Sequence, residues 1–88
     1  MDYLLFTYPN CDKCEAFKTY LRATALQGQE LNLAQKESKL RVREFLDRIK
    51  RDESGAMILP IFVLREDAGA VQIFNNHMEL DGWLKSRA

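Results

Sequence analysis

The chain carries no excess charge: thirteen basic and thirteen acidic residues among its 88 cancel. That removes the overall field that would draw it to nucleic acid or to an anionic membrane. No apolar run approaches the roughly 20 residues needed to cross a bilayer. The opening Met1-Asp2-Tyr3-Leu4-Leu5-Phe6 lacks the basic start, the length and the small-residue cleavage site of a secretory leader. No internal repeat, low-complexity tract or Pro- or Ser-rich linker signals a domain boundary. Histidine occurs once and cysteine twice, too few for a closed four-ligand zinc or iron-sulfur site within the chain. These absences lead to the expectation of one cytoplasmic domain spanning 1–88, a monomer whose partners are chosen by local contacts and are neither nucleic acid nor membrane.

What is present is 47% hydrophobic residues, enough for one modest core, arranged as alternating strands and helices. Tyr3 to Thr7 reads as a buried strand, broken by Tyr8-Pro9-Asn10. A helix follows, with Asn10 as its N-cap and Cys14, Phe17 and Leu21 on one face. Gln27-Gly28-Gln29 reads as the stop after it, and Glu30 to Ala34 as a short strand. An apolar stripe from Leu40 or Val42 through Phe45, Leu46 and Ile49 marks a second helix, ended by Asp52-Glu53-Ser54-Gly55.

Met57 to Leu64, interrupted only by Pro60, predicts a central strand entered through a special turn. Arg65 to Gly69 is a hairpin loop, and Val71 to Phe74 pairs back antiparallel. Asn76 with Glu79 three residues later is a capping pattern for a last helix carrying Leu80, Trp83 and Leu84. Gly82 weakens that helix by up to about 1 kcal/mol, so its start could slip to Asp81. The order β-α-β-α-β-β-α, with a right-handed crossover making the first two strands parallel, predicts an α/β fold: one four-stranded mixed sheet flanked by three helices.

Cys11 and Cys14 are the residues that carry chemistry. The loop they would close is too short to constrain the unfolded chain, and in a reducing compartment this spacing is catalytic or metal-binding. Cys11 falls at the strand-to-helix junction, where free amides and the helix dipole favour a thiolate; pairs so placed titrate between roughly 3.5 and 7. Cys11 is therefore the expected nucleophile and Cys14, one turn on, the resolving thiol. Asp12 and Lys13 act on that thiolate in opposite senses. The rival readings are a dimer holding zinc or an iron-sulfur cluster through Cys11 and external thiols, and a non-catalytic adaptor. His77 reads as a surface residue of the last helix's first turn. The basic residues from Lys36 to Arg51 alternate with acids, as on a solvated face.

Taken with Phe6-Thr7-Tyr8-Pro9-Asn10-Cys11-Asp12-Lys13-Cys14 and with Leu59-Pro60 opening the third strand, the chain resembles glutaredoxins and glutaredoxin-like members of the thioredoxin superfamily over nearly its whole length. The resemblance implies a thioredoxin-like (glutaredoxin-type) fold and thiol-disulfide oxidoreductase activity on protein or low-molecular-weight disulfides, with no resident cofactor. It further implies a cis-proline at Pro60, a substrate backbone docked at Leu59 and Pro60, and Tyr8 as an aromatic wall. Asn75-Asn76 stand where glutathione-binding members have two glycines, which makes both of them expected substrate-binding residues beside Tyr8, Leu59 and Pro60. The family's usual Cys-Pro-x-Cys is here Cys11-Asp12-Lys13-Cys14, and its Thr-Val-Pro is Ile58-Leu59-Pro60. Glutathione and a thioredoxin-reductase-like partner both fit these residues as the electron donor.

Overall fold

Alternation of side chains along two adjacent strands sets the architecture in the computed structural model, which describes residues 1–87. Strand β1 (Asp2–Thr7) and strand β3 (Ile61–Arg65) pair antiparallel, from Asp2 opposite Arg65 to Phe6 opposite Ile61. Successive strand residues point to opposite faces. On one face Leu4, Phe6, Ile61 and Val63 pack with Leu33, Val42, Phe45 and Ile49. On the other, Leu5, Phe62 and Leu64 pack with Phe17 and Leu21 of helix α1 (Asp12–Arg22) and Leu80 of helix α3 (His77–Arg87). Burial on both faces is why these strands read as continuous apolar runs rather than as alternating ones.

Strand β2 (Gln27–Asn32) joins the far edge of β1 in parallel, and β4 (Val71–Phe74) joins β3 antiparallel, giving the order β2-β1-β3-β4. Helix α2 (Lys36–Val42) leads into a 3-10 turn at Arg43–Phe45. The chain is thus an α/β protein with one four-stranded mixed sheet and three α-helices in the expected order.

Three boundaries differ from the sequence reading, each for a physical reason. β2 begins at Gln27, so Gln27-Gly28-Gln29 are strand and not a helix stop. As the edge strand, it exposes Gln27 to Glu30, and apolar alternation is not required of it. Gly28 lies opposite Tyr3 so closely that a Cβ would run into the Tyr3 carbonyl and ring. This glycine serves close approach of two strands rather than a turn.

The second helix is shorter than its stripe suggests and begins earlier. The inward residues of this segment are Ser38 and Val42 of the helix, Phe45 of the 3-10 turn and Ile49 beyond it, whereas Leu40 is 50% exposed and Leu46 also faces solvent. Ser38 completes the four-three-four spacing, but a buried serine is invisible to a hydropathy pattern. The third strand starts only at Ile61. Proline has no N–H to give to a ladder, and Met57 instead makes an isolated bridge to Arg51. The last helix does begin at His77 despite Gly82, because Asn76 Oδ1 accepts from the Glu79 N–H (2.8 Å) and Glu79 Oε1 from the Asn75 N–H (3.0 Å).

Phe62 is fully buried, stacked on Phe17 at 4.9 Å and on Tyr3 at 5.1 Å between ring centroids. Phe62→Ala should lower unfolding free energy by about 3–5 kcal/mol in a urea titration. Leu40→Ala should change it by no more than about 0.5 kcal/mol. A loss of about 2 kcal/mol or more at Leu40 would instead match the longer helical stripe read from the sequence.

Candidate functional site

The strand directions gather one end of the molecule. β1 ends there, β3 starts there after Pro60, and β4 ends there before Asn75. Tyr8, Cys11, Leu59, Pro60, Asn75 and Asn76, separated by up to 68 positions in sequence, therefore share that end of the sheet.

Cys11 is the N-cap of α1, with φ −110° and ψ 105°, and its Sγ accepts the Cys14 backbone N–H at 3.1 Å. Asn10, the cap suggested by the sequence, instead takes a left-handed conformation at φ 59°. Asparagine tolerates that region better than other non-glycine residues, and the resulting turn hands the capping position to the cysteine. Cys11 and Cys14 are joined as a disulfide with Cα atoms 5.2 Å apart. Cys14 is 1% exposed on the same helix face as Phe17 and Leu21, whereas Cys11 is half-buried. A group arriving from solvent meets the Cys11 sulfur first.

Three surface grooves lie at this end of the molecule. The first contains Cys11 itself and is walled by Tyr8, Asn10, Asp12, Glu15, Lys18 and Glu30. Within it Thr7 Oγ1 donates to Glu30 Oε2 (2.9 Å), and Lys18 Nζ bridges Glu15 (2.5 Å) and Glu30 (3.3 Å). Those carboxylates, Glu15 foremost and then Glu30, raise the Lys18 pKa, so the ammonium persists throughout the neutral range. A second, largely apolar groove joins Tyr8 and Leu59 through Leu33, Val42, Leu46 and Met57, with Lys39 and Arg43 also in its wall. The third lies beyond Leu59 and is walled by Lys13, Ile58, Asn75, Asn76 and His77. Asp12 and Lys13 thus line different grooves, a separation that their adjacency in sequence conceals.

The remaining candidates fall into place unequally. Tyr8 is 50% exposed and forms a wall common to the first two grooves. Leu59 is common to the second and third, and the bond to the buried Pro60 is cis. Asn75 is 7% exposed, and its amide donates to two carbonyls of its own chain, those of Ile58 and Pro60. Asn76 both caps α3 and lines the third groove.

His77 is not a free surface residue: its ring stacks on Tyr20 at 5.5 Å and meets Phe17 edge-on. Tyr20 in turn donates to Asp81 at 2.9 Å, and burial, reinforced by that carboxylate, raises its pKa. The polar cluster of Thr7, Lys18 and Glu30 was missed in the sequence because it depends on the β1–β2 register, and β2 starts three residues earlier than its pattern suggests.

Among the described residues no group of three or more His, Cys, Asp or Glu side chains is placed to hold a metal ion, and no helix is long and apolar enough to cross a membrane. Comparison with protein-family models, with curated proteins and with solved structures finds no match to this chain.

The cap that steadies the Asn75 corner is itself pH-sensitive. Glu79 is held below the usual carboxylate range, chiefly by the Asn75 N–H it accepts and, against partial burial, by Lys50. A depressed folded pKa contributes stability that is present above the unfolded value of about 4.3 and lost as pH falls through the lower folded one. Glu79→Gln should therefore be less stable than the native chain at pH 7 in urea titrations. With the carboxylate 37% exposed and screened, the difference should be at most about 1 kcal/mol. It should close progressively below pH 4.3, whereas a difference constant with pH would show that the charge contributes nothing.

Proposed function

We propose that this chain is a thiol-disulfide oxidoreductase of the glutaredoxin type, built on a thioredoxin-like fold. One observation carries the reading: the half-exposed Cys11 sulfur caps a helix and accepts its Cys14 amide, while its disulfide partner Cys14 is buried one turn on. When the pair is reduced, that amide and the helix dipole favour a thiolate at Cys11 over a thiol. The same cap therefore lowers the energy of the attacking species. The mixed sheet in the order β2-β1-β3-β4, with the pair at the β1–α1 junction and Pro60 just before β3, supports the fold assignment.

In the reductive direction the Cys11 thiolate attacks one sulfur of a substrate disulfide. The substrate S–S bond breaks, and its other sulfur leaves as a thiolate that takes up a proton. Cys14 then gives up its proton and attacks Cys11 Sγ, releasing the second substrate thiol and forming the Cys11–Cys14 disulfide. Two electrons have moved to the substrate, and an external thiol must supply them again by the reverse exchange. Glutathione or a reductase-fed dithiol can do so. Anionic glutathione meets Asp12, Glu15 and Glu30 against the single Lys18 in the Cys11 groove, a balance that favours protein partners. Tyr8 and Leu59, joined by apolar side chains, offer such a partner a continuous surface that shares Tyr8 with the Cys11 groove.

Cys11→Ser should abolish disulfide reduction, and Cys14→Ser should accumulate a mixed disulfide visible by mass spectrometry. The native pair should show a reversible two-electron couple near the roughly −200 to −270 mV spanned by glutaredoxins and thioredoxin. Equal and mild losses in the two variants, or no reversible couple in thiol buffers, would overturn the assignment.

A further inference from the structure

Asn75 presents an energetic puzzle that packing alone does not solve. Its side chain is buried, yet Oδ1 has no hydrogen-bond partner, a state that an apolar residue of the same shape would avoid. The other half of the amide explains its presence. Nδ2 donates to the Ile58 carbonyl at 2.9 Å and to the Pro60 carbonyl at 3.2 Å, the two acceptors on either side of Leu59. The reverse amide orientation would set Oδ1 against both carbonyls, so the bonding pattern fixes which atom is nitrogen.

Asn75 is itself anchored. Its N–H is held by Glu79 Oε1, and the next residue, Asn76, caps the same helix. A bond from the Ile58 N–H to the Lys50 carbonyl ties down the other flank. Between these ties, Leu59 makes no backbone hydrogen bond among the described residues, and its residue lines both the apolar groove and the groove beyond it. A peptide group left unpaired at the surface between fixed neighbours can add a strand from a partner.

We propose that Asn75 is a positioning residue: by drawing the carbonyls of Ile58 and Pro60 inward, it holds the Leu59 peptide group toward the grooves as a pairing edge for an extended disulfide-bearing polypeptide. The assignment rests on the redox reading above and on the backbone docking at Leu59 and Pro60 that the glutaredoxin resemblance implies; what it adds is the residue that holds that edge. The Asn75 amide nitrogen is committed to carbonyls of its own chain, so it acts through the Leu59 backbone. Its effect belongs in the affinity for substrates that possess a peptide backbone, and a small disulfide without one cannot use the edge.

The test compares Asn75→Leu, which keeps the bulk and removes both donors, with the native chain on two substrates: a disulfide-linked extended peptide and hydroxyethyl disulfide. KM for the peptide should rise about tenfold with little change in its kcat, and the ratio of peptide to small-disulfide efficiency should fall by the same factor. Equal losses on both substrates, or an unchanged peptide KM, would overturn the assignment to Asn75.

Should the leucine variant fail to fold, amide exchange keeps the question open to test. The Leu59 N–H should exchange rapidly in Cys14→Ser and slow at least tenfold when the peptide is held as a mixed disulfide on Cys11. A Leu59 amide already protected in the free protein, or indifferent to the held peptide, would overturn the pairing edge. If the native chain reduces neither substrate and has no reversible couple, the functional reading itself falls, an outcome distinct from an unchanged KM in an active enzyme.

Discussion

The pairing of β1 with β2 on one edge and β3 on the other ties its backbone on both sides, and Leu4, Leu5 and Phe6 bury both faces of its second half. Whatever follows Thr7 is launched from a fixed platform. The Tyr8–Asn10 turn starts there and delivers Cys11 to the first position before α1. Phe17 and Leu21 then seat that helix against Leu5 and Phe62. The position of one sulfur atom is thus set by one of the two buried central strands, through a turn of three residues. Small displacements in this core would be felt at the cysteine because packed interiors do not yield continuously.

Around that platform the charges are balanced in number but not in place. Asp12, Glu15 and Glu30 gather with Lys18 in the groove holding Cys11, whereas Lys13 faces the groove beyond Leu59. A chain with no net field can still discriminate among partners, since a desolvated encounter is governed by the few charges within about one Debye length, roughly 8 Å at physiological salt. The largely apolar groove between Tyr8 and Leu59 carries two cations of its own, Lys39 and Arg43, in contrast to the mainly acidic groove that holds Cys11. Asn75 belongs to a third kind of contribution. Its amide is committed to its own chain, and what it offers a partner is the shape of the backbone at Leu59.

Much of this is legible in the sequence. The apolar runs at Tyr3 to Thr7 and around Ile61 to Leu64, and the cap at Asn76 and Glu79, all depend on neighbours close in sequence, and all are present. The cysteine pair was legible for the same reason: a strand, a breaking turn and a helix face are local signals. What escaped were features fixed by distant partners. Ser38 is buried by tertiary packing, and Gln27 to Gln29 form a strand because β1 lies beside them. His77 is stacked because α1 presents Tyr20 to it.

The sequence by itself determined the order of elements, the alternation that buries both faces of β1 and β3, and the placing of Cys11 and Cys14 at the opening of a helix. Periodicity and turn chemistry are properties of short segments, and short segments are what a sequence displays. Only the tertiary structure decided that Cys11 rather than Asn10 caps that helix, that Asp12 and Lys13 serve different grooves, and that Asn75 reaches back 15 and 17 residues to hold the carbonyls flanking Leu59. Each of these is a contact across sheet register or between packed elements. Such contacts exist only once the chain has closed on itself, so no local pattern encodes them.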